Sequence, residues 1–121
     1  MMTKEELMHR LKQYAIQYAK LVLNLPYNIV NKNYSDQGNS FASSAAANYR
    51  AACRAKSHPG FVNKLKIVEE ELDESIFFLE MILEINPSLL SEINVLNKEG
   101  NDRLAITVAS LKRCGFKNRN S

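Results

Sequence analysis

Three stretches of this 121-residue chain carry side chains that could do chemistry. The first is "ELMH", Glu6 to His9, whose Glu-x-x-His spacing puts two metal ligands on one helix face. A di-iron site needs that motif twice. His58, the other histidine, has Ala55 three residues before it, so the second half is missing and no metal or other cofactor is expected. The second is Cys53 with His58, a nucleophile and base by type but with no orienting acid nearby. The third is "ANYRAACRAKSHPGF", Ala47 to Phe61, which sets Arg50, Arg54 and Lys56 among alanines without one carboxylate.

That third stretch lies inside an acid-free span from Gln37 to Val68. Residues 1–66 carry ten Lys/Arg against three acids, whereas residues 67–121 carry six against ten. Such asymmetry argues for a basic face rather than a uniformly basic protein. The run "EEELDE", Glu69 to Glu74, is continuous around a helix and reads as solvated surface or an interface. No Gly-rich phosphate loop, nucleophile elbow or zinc-ligand cluster is present. The expectation is a protein without catalysis.

The elements that position these residues follow from periodicity. Thr3 as a cap, then Leu7, Leu11, Tyr14, Tyr18, Leu21, Val22 and Leu25 at steps of three and four, predict a helix over about 3–25, ending before Pro26. The segment "YNIVNKNYSDQGNS" shows no sustained apolar period and is expected to be a loop. A second helix is predicted over about 40–56, with an alanine-rich inner face that admits a close neighbour. Ser57 and Pro59 start a third over about 59–86, and a fourth runs over about 89–114 with Gly115 as its C-terminal cap and 115–121 as a flexible tail. Gly100 inside the fourth marks either a close helix contact or a weak point. With no alternating apolar runs, the predicted fold is all-α, one up-down-up-down antiparallel four-helix bundle.

Folding this pattern back on itself gathers charge. A turn at His58 sets Arg50 level with Lys66 and Arg54 level with Val62. A turn near Pro87 brings Lys64 beside Lys112 and Arg113. One end then collects Arg50, Arg54, Lys56, Lys64, Lys66, Lys112 and Arg113, diluted by Glu5 and Glu6, while Glu80, Glu84 and Glu92 gather at the other. Lys64 and Lys66 sit near the amino end of a helix, where acids would be favoured by a few tenths of a kcal/mol each. Arginine forks onto phosphate and an aromatic stacks on an unpaired base, so Tyr49 with this cluster suits a nucleic acid. The alternatives are that Tyr49 is core and the arginines solvate a helix, or that Tyr49, Glu70, Glu71 and Glu74 form an oligomer interface that meets the arginines of a sister subunit.

The run "ANYRAACRAKS", followed by "FVNKLKIVEEELDES" and "FFLEMI", resembles the bacterial four-helix-bundle protein family encoded in intervening sequences of 23S ribosomal RNA genes. The likeness is close from Ser44 to Leu83 and looser across "NKEGNDRLAITVASLK". It rests on Asn48, Tyr49, Arg50, Arg54, Lys56, Phe61, Lys64, Leu65, Glu70, Glu71, Glu74 and Ser75. The resemblance implies a non-enzymatic ring-like homo-oligomer, typically a pentamer, that binds RNA or DNA. Distant relatives are accessory proteins of a reverse transcriptase in diversity-generating retroelements, which makes such an enzyme an expected kind of partner. Where the family has Arg-Ser and then Ser-Ile-Gly, this chain has Ser40, Phe41 and then Ser44, Ala45 and Ala46. That departure removes one basic residue from the second helix.

Two cysteines in no ligand spacing and a charged amino terminus lead to the expectation of a reduced cytoplasmic protein. No apolar run approaches the ~20 residues that a membrane span requires.

Overall fold

The computed structural model of the chain describes residues 2–115. Four helices follow one another: α1 (Lys4–Leu23), α2 (Ile29–Cys53), α3 (His58–Ile85) and α4 (Leu90–Arg113), with a 3₁₀ turn at Pro87–Leu89 before α4. Each packs on its sequence neighbours and α4 closes back on α1, while the backbones of the diagonal pairs stay apart. This is the expected up-down four-helix bundle. No strand occurs among the described residues, and none of the described helices is long and apolar enough to cross a membrane.

Side-chain caps start three of the helices. Thr3 accepts from the Glu6 amide at 3.1 Å, Asn28 from Asn31 at 2.8 Å and Ser57 from Gly60 at 3.1 Å. Gly115, at φ 83°, stands in the left-handed region just past α4 and donates to the Lys112 carbonyl, the C-terminal device expected of it. The rest of the expected tail, 116–121, lies outside the described residues.

The second helix begins where the sequence predicts a loop. α2 starts at Ile29, not near residue 40, and its inward stripe is Asn31, Ser35, Gly38, Ala42, Ala45, Tyr49 and Ala52. The steps alternate four and three as a heptad seam requires. Its first half is polar or glycine, so hydrophobicity alone does not reveal it. Asn31 and Asn86 fill the end of this seam by exchanging amide hydrogen bonds of 3.0 and 2.8 Å. Their second amide protons go to the Pro26 and Ile82 carbonyls, which joins the α1–α2 connection to the end of α3 with both side chains buried.

Two tyrosines of α1 cross the interior to α3. Tyr18 donates from its hydroxyl to the Ser75 carbonyl at 2.8 Å, and the Tyr14 hydroxyl meets Ser75 Oγ at 2.8 Å. Ser75 gives its own proton to the Leu72 carbonyl at 2.7 Å, so Tyr14 is the donor in its bond. The flanking helices make room with glycine. A Cβ on Gly38 of α2 would overlap the Tyr18 hydroxyl, and one on Gly100 of α4 would stand 2.9 Å from that of Tyr14. Of the two readings of Gly100, the close contact holds.

The observed pairings between α2 and α3 keep the expected register: Asn31 meets Asn86, and a Cβ on Gly38 would stand 3.0 Å from Phe78 Cβ. Asn48 donates to Glu71 at 2.9 Å and Phe41 stacks on Phe78 at 6.1 Å. These pairings set Arg50 between the heights of Lys66 and Glu69 on α3. The connection itself is 54–57, because α2 ends at Cys53 and α3 already includes His58.

Candidate nucleic-acid interface

The start of α1, the end of α2, the start of α3 and the end of α4 meet at one end of the bundle. Two adjoining depressions open there. The first, about 370 Å³, has an apolar floor that includes Leu7, Tyr49, Phe61 and Ile106, with Thr3, Lys4, His58, Ser110 and Arg113 among its other lining residues. The second, about 400 Å³, is lined in part by Lys4, Cys53, Lys56, Ser57 and His58. Phe61, Lys4, His58 and Cys114 belong to both. The Lys4 ammonium sits 4.5 Å above the Phe61 ring, a cation–π contact at the junction of the two. His58 Nε2 lies 3.4 Å from the Cys114 carbonyl and links the start of α3 to the end of α4.

Of the seven basic residues expected at this end, the fold brings Lys56 and Arg113 onto the depressions. Arg50, Arg54, Lys64 and Lys112 are exposed and Lys66 is half-buried; none of these five lines either depression. Arg50, Arg54, Lys56, Lys64 and Lys112 make no ion pair among the described residues, where the recorded pair, Lys32 with Asp36 at 2.7 Å, stands on the outside of α2. The arrangement adds Lys4, which sequence reasoning passed over, although its place in the first turn of α1 puts it at the same end as Glu5 and Glu6.

Tyr49 corrects the interface expectation. It is 3% exposed within a single chain and stands on the inward stripe of α2, so its ring belongs to the core and the cleft floor, not to a face that a sister subunit could reach. Burial pushes its hydroxyl pKa up; the neighbouring Cys53 and Glu5 add to this and Arg113 opposes it. These influences place one acid, Glu5, and one base, Arg113, beside the apolar floor. Of the interface acids, Glu71 is half-buried and held by Asn48, whereas Glu70 and Glu74 are exposed.

Glu6 and His9 are both exposed on α1, and no group of three or more His, Cys, Asp or Glu suited to a metal occurs among the described residues. Cys53 and Cys114 are free thiols that border the second depression together with His58.

The fold and this end define an all-α four-helix protein with a basic, cleft-bearing end. No family model, curated protein or solved structure matches the chain.

Proposed function

We propose that this protein is a non-enzymatic helical bundle that binds nucleic acid through its basic end. The observation that carries the reading is the convergence of Lys4 from α1, Lys56 from the α2–α3 turn and Arg113 from α4 around two adjoining depressions. Arg54 in the α2–α3 turn, Lys64 in α3 and Lys112 in the last turn of α4 are exposed. Phosphate contacts supply most of the affinity of such a surface and make it salt-dependent. The resemblance to the intervening-sequence family supports the same reading. The two free thiols suit a reducing, cytoplasmic setting.

The test is a salt titration of RNA binding. Lys56→Ala with Arg113→Ala is expected to weaken affinity about tenfold or more and to lower the log–log salt slope by about one for each phosphate-binding side chain removed. Unchanged affinity and slope in the double variant, and again in Arg50→Ala with Arg54→Ala, would show that the basic end is not the binding surface.

A second element of the reading is self-assembly, favoured by the outer face of α3. Ile67, Glu70, Glu74 and Phe77 recur there at helical spacing, and Phe77 is 52% exposed although it packs edge-on against Phe78 at 5.2 Å. An exposed aromatic rimmed by acids fits an interface that takes arginines from a second copy. The family resemblance makes that assembly a ring, typically a pentamer, and leaves room for an accessory role beside a protein partner such as a reverse transcriptase. Phe77→Glu is expected to lower the mass found by sedimentation velocity to that of smaller species. An unaltered mass distribution would assign assembly to another face.

A further inference from the structure

We propose that the cleft at the basic end is a nucleotide site, with the base held in its apolar lobe and the phosphate in its cationic lobe. This rests on the reading of that end as a phosphate-binding surface, and it names the form of nucleic acid the surface takes: an unpaired nucleotide.

The two lobes differ in chemistry. The first has Leu7, Tyr49, Phe61 and Ile106 in its floor and a volume of about 370 Å³, within the range of small-molecule sites. The second is bordered by Lys56 and Ser57. Lys4, stacked 4.5 Å over Phe61, stands where the two meet. A purely apolar ligand would desolvate Lys4 and Arg113 without pairing them, which is unfavourable. An inorganic anion would leave the apolar floor in water. A molecule with a flat apolar body and one anionic group satisfies both lobes at once.

The half-buried Phe61 ring at the junction favours a base as that body, because every base presents a π face to stack. The Thr3 and Ser110 hydroxyls and the His58 ring at the rim supply groups that can hydrogen-bond to a base edge or ribose. A base inside a duplex is stacked on both faces and paired on one edge, so it cannot enter the cleft without leaving the helix. The site therefore separates single-stranded from double-stranded nucleic acid.

The experiment compares AMP, ribose phosphate, a short single-stranded RNA and a blunt duplex RNA on the full chain by calorimetry. AMP is expected to saturate at one molecule per chain, to bind about tenfold or more tightly than ribose phosphate, and to compete more strongly with the single strand than with the duplex. Ala109→Trp fills the apolar lobe from an exposed position that lines it, and should abolish AMP binding and the single-strand preference while duplex binding keeps its salt slope. Should the circular dichroism of that variant show loss of fold, Phe61→Leu serves instead, with an expected loss of about tenfold.

AMP affinity above that of the strand identifies a free nucleotide as the ligand. Strand affinity above that of AMP, with an excess that shrinks as salt rises, identifies an unpaired nucleotide within a chain. Equal binding of AMP and ribose phosphate, or AMP binding that survives the filled lobe, overturns the site. In that case persistent duplex binding with its salt slope leaves the basic-end reading standing. Failure of all four probes to bind overturns both.

Discussion

Gly38→Ala is expected to destabilise the bundle by about 3 kcal/mol, although alanine is the better helix former by about 1 kcal/mol. The added methyl would overlap the Tyr18 hydroxyl, stand 2.8 Å from Tyr18 Cζ and 3.0 Å from Phe78 Cβ. Tyr18 has no room to give way, because its ring is buried, packs edge-on against Tyr14 at 5.9 Å and is tied by its hydroxyl to the Ser75 carbonyl. Overpacking costs about 1–3 kcal/mol, and a buried hydroxyl pushed off its acceptor costs about 1–3 kcal/mol more. Thermal unfolding followed by circular dichroism should show the midpoint fall by roughly 10 °C. Gly100→Ala, whose nearest neighbours are the Tyr14 hydroxyl at 2.9 Å and Ile76 Cγ1 at 3.1 Å, should fall by less. Tyr18→Phe should recover part of the Gly38→Ala loss by removing the overlapped oxygen, a non-additivity expected of residues in contact. A neutral or stabilising Gly38→Ala would show that the tyrosine does not cross the interior at this level.

The same glycine marks what the sequence could reveal. α1 and α3 are legible because their inward positions hold large apolar side chains, Leu7 to Leu21 and Leu65 to Ile82, and bulky residues at steps of three and four are what periodicity reads. The first half of α2 keeps the same steps with Asn31, Ser35 and Gly38. Two of these are there for a partner on another element: Asn31 for Asn86, Gly38 for Tyr18. A position whose residue type is set by a distant partner carries no local signal, so this segment looks like a loop until the tyrosines are placed. Gly100 can be read two ways for the same reason, since Tyr14 lies far from it in sequence.

The basic end is legible in outline because an up-down topology alone brings the α2–α3 turn to the end of α4. Lys56 and Arg113 follow from that. Lys4 follows equally, but Glu5 and Glu6 beside it give the first turn of α1 an acidic look that masks the lysine. Its neighbours Arg50 and Arg54 make Tyr49 resemble a surface residue, whereas its spacing from Ala45 and Ala52 already places it on the inward stripe. The cleft itself has no sequence signature. Its floor takes Leu7, Tyr49, Phe61 and Ile106 from all four helices, and only the closed bundle brings them together.

High pH should unfold this protein cooperatively, through the same crossing tyrosines. Burial pushes the Tyr14 hydroxyl up to about 12; its bond to Ser75 and the nearby Arg103 ease the shift, and Glu99 adds to it. Burial raises Tyr18 as well, with Tyr14 beside it contributing. In the unfolded chain both titrate near 10. Between pH 10 and 12 the native state thus holds protons that the unfolded state has lost, so stability is full below pH 10 and falls as pH rises toward the native value. Each such tyrosine removes about 1.4 kcal/mol per pH unit, and the two together remove about 5 kcal/mol by pH 12. That is comparable with the whole stability of a small domain, ~5–15 kcal/mol. Tyrosinate absorbance and helical circular dichroism, followed together from pH 9 to 13, should therefore change in one step for the buried tyrosines. In Tyr14→Phe with Tyr18→Phe the alkaline step should move to higher pH even though stability at neutral pH is lower. Ionisation of Tyr14 and Tyr18 near pH 10 with the helix content intact would show that neither hydroxyl is held in the interior.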